Sequence, residues 1–84
     1  MKPNRAKLKL HQPACYRISV QGALDESWAD YFSGLTLTSD REARPAGLTI
    51  LTGQVADQAM LLGVLNRLYG LGLPLLAVEL LACQ

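Results

Sequence analysis

Eighty-four residues, 50% of them hydrophobic and 18% charged, make one domain, long enough for a core but so short that folding buries only about 60% of the surface the unfolded chain exposes. One histidine leaves no His-based triad and no multi-His metal site within a single chain, and two cysteines cannot complete a tetrahedral zinc site alone. The net charge of +1 hides an asymmetry: Lys2, Arg5, Lys7 and Lys9 give the first fourteen residues +4, while four Arg against seven acids leave the remainder at −3.

In chain order, residues 1–14 read as a basic, partly disordered N-terminal tail that carries the sole histidine, His11, and residues 15–84 as one domain. The tail is the one feature with the charge to touch nucleic acid or anionic lipid, and solvation is its simpler reading. Only the alternation Lys7-Leu8-Lys9-Leu10 hints at a short edge strand. No apolar segment of leader length follows the basic start, so no signal peptide is expected and the chain is read as soluble and cytoplasmic. Residues 60–82 have the length of a membrane span, but Asn66, Arg67 and Glu79 interrupt them and Pro74 breaks the helix. An arginine near mid-span alone costs roughly 2.5–3.5 kcal/mol.

Tyr16, Ile18 and Val20 alternate with Arg17, Ser19 and Gln21, the period of a strand with one buried face, which Gly22 ends. Asp25 offers an N-cap to a short helix over residues 26–33 that buries Trp28, Ala29 and Phe32 and stops at Gly34. Residues 35–38 form a second alternating strand, residues 39–47 a polar loop punctuated by Pro45 and Gly47, and residues 48–52 a third strand. A second helix starts at an Asp57 cap and runs to about Gly70, with Met60, Leu61, Val64, Leu65 and Leu68 on one stripe and Leu62 and Tyr69 on its flank. Gly72 and Pro74 stop it, and residues 75–82 are almost continuously apolar, with Glu79 the one charge.

This order predicts a ferredoxin-like α+β sandwich, βαββαβ, with an antiparallel sheet in order 4-1-3-2 and both helices on one side. Strand parity then sends Ile18, Val20, Leu35, Leu37, Leu48, Ile50, Leu76, Val78 and Leu80 toward the helices. On the open face it leaves Cys15, Arg17, Ser19, Gln21, Thr36, Thr38, Thr49, Leu51, Leu75, Ala77, Glu79, Leu81 and Cys83, with Arg17 and Glu79 as a cross-strand ion pair.

The stretches YRISVQGALDESWADYFSGLTLT and LTGQVADQAMLLGVLNRLYGLGLPLLAV resemble a family of small bacterial proteins of uncharacterised function, a likeness that covers residues 16–78. Its motifs include Val20-Gln21-Gly22, Leu24-Asp25, Trp28, Phe32, Leu51-Thr52-Gly53 and Asp57-Gln58-Ala59. The resemblance implies neither a catalytic residue nor a substrate.

The chemistry-bearing residues point the same way. The loop after the first strand lacks the arginine of a phosphate cradle and carries Asp25 and Glu26, which repel anions. The turn around Gly53 has one glycine, no lysine and an acid at the helix start, so it reads as a turn and a cap. The open face lacks the aromatics that stack RNA bases, and Trp28 and Tyr69 read as packing residues. Cys15 and Cys83 are expected as reduced neighbours, with a disulfide or a shared metal as lesser alternatives.

The expectation is therefore a non-enzymatic protein-interaction module, without metal or cofactor, that pairs with itself or another protein. Its interface would comprise Arg17, Ser19, Thr49, Leu51, Leu75, Ala77, Glu79 and Leu81 of the open face with Leu62 and Tyr69 of the helix flank. The alternative, by analogy of fold with the ACT type of regulatory domain, is a small-ligand sensor binding between subunits near Gly22, Asp25 and Trp28.

Overall fold

The computed structural model of the protein describes residues 9–32 and 34–82. Residues 1–8, most of the expected basic tail and half of its hinted edge strand, lie outside the described residues, as does Cys83. Four strands, β1 (Ala14–Gln21), β2 (Leu35–Asp40), β3 (Leu48–Val55) and β4 (Leu75–Leu81), form one antiparallel sheet in the order β2-β3-β1-β4. One α-helix, α1 (Gln58–Gly70), joins β3 to β4, and a seven-residue 3₁₀ helix (Glu26–Phe32) joins β1 to β2.

The ferredoxin-like βαββαβ sandwich expected from the sequence is overturned. What differs is the helical layer, which holds one α-helix and a 3₁₀ segment instead of two α-helices. Seven residues are too few to offset the cost of nucleating an α-helix, and Ser, Trp, Asp, Tyr and Phe are middling helix formers. Short runs of this kind settle into 3₁₀ geometry, closed here by the Trp28 N–H donating to the Asp25 carbonyl at 3.0 Å. Only Phe32 of the segment is buried, and Trp28, expected in the core, is exposed.

The helix α1 starts where the sequence placed it. The Asp57 carboxylate accepts from the Met60 N–H at 2.8 Å, and Leu61, Val64 and Leu68 form its buried stripe. These three meet Tyr16, Ile18 and Val20 of β1, Leu51 and Val55 of β3, Leu35 of β2 and Phe32 in one core on one side of the sheet.

Register decides which side chains share that core, because directly opposed residues face the same way. One row across the sheet is Leu37, Leu51, Ile18 and Val78, and the next is Ser39, Thr49, Val20 and Leu75. Thr49 and Leu51, expected on the open face, are therefore core residues, each 0% exposed. Leu48 and Ile50, expected inward, lie on the opposite side with Gln21 and Ser19.

The reason is strand length. β3 continues to Val55, so the inward phase runs through positions 49, 51, 53 and 55, and a Cβ at Gly53 would meet the Gly34 carbonyl oxygen at 2.9 Å. A register shift between Ser19 and Val20 likewise turns Leu75 from the open face to the helix side, opposite Val20.

Candidate functional site

The loop between β1 and the 3₁₀ helix, where a ligand was the alternative expectation, uses its polar groups on itself. The Leu24 N–H donates to Thr49 Oγ1 at 2.9 Å, that hydroxyl donates to the Gly22 carbonyl at 2.6 Å, and Ser39 Oγ donates to the Leu24 carbonyl. The Gly22 N–H is taken by the Gly47 carbonyl at 2.9 Å. A buried threonine on β3 thus clamps the loop, and the Gly22 and Leu24 amides are occupied.

Asp25 receives the Ser27 hydroxyl at 2.6 Å, and this bond holds its carboxyl below the usual carboxylate range. An open cleft of about 440 Å³ beside it is lined by Leu24, Asp25, Glu26, Ser39, Asp40, Arg41 and Glu42. Of the three residues of the ligand alternative, Asp25 lines this cleft, while Gly22 lies in the clamp and Trp28 stacks edge-on against Tyr31, their ring centroids 5.4 Å apart. Among the described residues no group of three or more His, Cys, Asp or Glu could hold a metal ion.

The strand-to-helix turn after β3 is equally committed. The Gln58 N–H donates to the Leu10 carbonyl at 2.9 Å, and Gln58 Nε2 donates to the Tyr16 hydroxyl at 2.6 Å. With the Met60 amide on Asp57, these bonds tie residues 9–13, β1 and the start of α1 together. The Gln58 and Met60 amides at the helix start are thus spent on the chain itself.

The remaining expected interface residues divide by face. Arg17 and Glu79 are paired across β1 and β4 at 3.1 Å, with both side chains about half exposed. Ser19, Ala77 and Leu81 share that side of the sheet, where Ser19 and Leu81 are half-buried. Its apolar members Leu48 and Ile50 are half-buried too, and Thr36, Thr38 and Thr52 surround them. Cys15 is disulfide-bonded, in place of the reduced thiol expected, and Cys83 lies outside the described residues.

The exposed apolar surface sits elsewhere, on the helix side of β4. Leu75, Val78 and Leu80 occupy core-side register positions opposite Val20, Ile18 and Tyr16, yet they are 53%, 37% and 45% exposed. The cause is the placement of α1, which packs against β3 and spends its buried stripe on β3 and β1. On one flank its Arg67 lies over the Tyr31 ring of the 3₁₀ helix, which packs on β2.

The other flank carries Gln58, bonded to β1, together with Leu62 and Tyr69, which are exposed. By helical spacing these three residues share one flank. Leu62 lines a pocket with Leu10, His11 and Gln58, and Leu62, Tyr69, Leu75, Val78 and Leu80 are all exposed apolar side chains. Sequence reasoning assigned Leu76, Val78 and Leu80 to the core, and Leu76 is likewise exposed. The signal that could have shown otherwise is the nearly unbroken apolar run of β4 beside a first helix too short to complete a second layer.

No helix among the described residues is long and apolar enough to cross a membrane. The model of a family described as a domain of unknown function, DUF8691, matches residues 15–79, from the second residue of β1 into β4. No curated protein and no solved structure matches the chain.

Proposed function

We propose that this chain, which belongs to the DUF8691 family of unknown function, is a non-enzymatic protein-interaction module that engages its partner through the corner between β4 and the exposed flank of α1. One observation carries the reading: β4 presents large apolar side chains at core-side positions that stay 37–53% exposed. An apolar patch of this kind on a small domain marks a contact surface. The far side of the sheet is the weaker candidate, because its apolar residues are half-buried among threonines and the Arg17–Glu79 pair.

A photo-crosslinking amino acid placed singly at Leu62, Leu80 or, as a control on the opposite edge, Thr38 tests the reading in the cell that makes the protein. Protein adducts at Leu62 and Leu80 and none at Thr38 are expected. Equal adducts at all three positions, or none at any, would remove the corner as the working surface.

A further inference from the structure

We infer that the disulfide at Cys15 closes on Cys83 of the same chain, and that it is a redox clasp holding the Leu81 end of β4 against β1. The clasp does not depend on the interaction reading above.

Count and register name the partner. Cys15 is disulfide-bonded, and the sequence holds one other cysteine, Cys83. Cys15 lies directly opposite Leu81 in the pairing of β1 with β4, and Cys83 follows Leu81 by two residues. Opposed Cα atoms of antiparallel strands lie about 4.5–5.5 Å apart, and a disulfide joins Cα atoms about 4.4–6.8 Å apart. Two residues of chain past Leu81 therefore leave the second sulfur within reach of the first.

The role follows from how little else holds that end of the strand. Among the described residues β4 pairs with β1 alone, and every residue of it but Leu81 is exposed. Its start is fixed by the Gln21 N–H, which donates to the Pro74 carbonyl at 2.9 Å. Toward its other end the Arg17–Glu79 pair is open to solvent and contributes little. An edge strand with so little apolar burial is the segment that opens first in a folded domain. A covalent link just past its last pair blocks that opening.

Closure is thiol–disulfide exchange with an oxidant of the oxidised-glutathione class. One cysteine thiolate attacks the glutathione disulfide, which forms a mixed disulfide and releases one glutathione. The second thiolate then displaces the other glutathione, so two protein thiols are oxidised, one disulfide is reduced, and both thiol protons leave with the two glutathiones. Reduced glutathione in excess runs both steps backward. Cys15 is half-buried on the side of the sheet away from α1, so small thiols can approach it. The clasp is closed in an oxidising compartment and opens in a reducing cytosol.

The test takes the full chain equilibrated with oxidised and then with excess reduced glutathione. In the oxidised chain, trypsin should release residues 10–17 and 68–84 as one linked species, which separates into two when a reductant is added. Backbone order parameters from NMR relaxation read the clasp itself in the folded state. On reduction they should fall at residues 79–82 from about 0.85 to below about 0.6, and stay near about 0.85 in β2 and β3. Cys83→Ser under oxidising conditions should match the reduced chain, which separates the bond from any effect of the reductant.

Two free thiols after oxidation, or a covalent dimer in place of the linked peptides, overturns the inference. So do order parameters at residues 79–82 that are the same in both redox states. Loss of order spread through β2 and β3, up to unfolding on reduction, also overturns it, because the bond would then be a staple for the whole domain and not a clasp on one strand.

Discussion

The two edges of the sheet are strands of similar length, six residues in β2 and seven in β4, and they meet water in opposite ways. Leu35 of β2 is buried and Leu37 partly so, beneath the 3₁₀ helix and its anchor Phe32, and β2's outward positions are polar. Every residue of β4 but Leu81 is exposed, apolar ones included. Each edge follows a helical segment, so the contrast comes from where that segment spends its apolar side chains. A seven-residue segment with one buried aromatic suffices for β2, whereas the stripe of α1 is consumed by β1 and β3 before β4 is reached.

The largest effect that tests this contrast is at the covered edge. Phe32→Ala should cost about 3–5 kcal/mol of stability by chemical denaturation, since Phe32 is 1% exposed and links the 3₁₀ helix to the core. A cost under about 1 kcal/mol would mean that β2 is not held by this anchor.

A sharper comparison lies within one row of the sheet, where Leu51 and Val78 both flank Ile18 in register. Leu51→Ala at the centre should cost about 2–5 kcal/mol. Val78→Ala at the open edge should cost under about 1 kcal/mol. Equal losses at the two positions would show that β4 is covered after all.

Next in size is the hydroxyl of Thr49, which serves the loop ahead of the covered edge. In Thr49→Val the methyl fills the space of the hydroxyl, but the Leu24 amide loses its acceptor and the Gly22 carbonyl its donor. The expected loss is about 1–3 kcal/mol, with faster exchange of the Leu24 amide and unchanged exchange in β4. A neutral substitution would show that the loop is held by its neighbours instead.

The same contrast explains what could be read from the sequence. β1 alternates cleanly, and α1 announces its cap at Asp57 and its stripe at 61, 64 and 68, because both elements have one wet side and one dry side. The Arg17–Glu79 pair follows from that alternation and antiparallel pairing. β3 misleads because the stretch at 48–52 has apolar residues in both phases, and only its continuation to Val55 breaks the tie in favour of Thr49 and Leu51.

The 3₁₀ helix misleads because its aromatics suggest burial that a seven-residue segment delivers only at Phe32. β4 has no phase to read, being apolar at nearly every position, and the register shift beside Val20 turns Leu75 over without any mark in composition. Exposure of the corner depends on what the other elements leave uncovered, and no local pattern records that.

The smallest effect concerns the single charge on the open edge. Arg17 and Glu79 lie 3.1 Å apart with side chains 45% and 51% exposed, so solvent screens the pair and its coupling energy should be only about 0.2–1 kcal/mol in a double-mutant cycle with Arg17→Ala and Glu79→Ala. Raising the salt concentration should shrink that coupling further, because both groups are open to ions. At the contact edge proposed above, the pair bears more on association than on stability. Without Arg17, Glu79 becomes an unpaired charge at the edge of the sheet, the device by which strands discourage partners. Arg17→Ala should therefore lower the yield of the Leu80 crosslink while Glu79→Ala leaves it intact or raises it. Equal lowering by both substitutions would mean that the ion pair itself touches the partner, which places the contact on the far side of the sheet and not along β4.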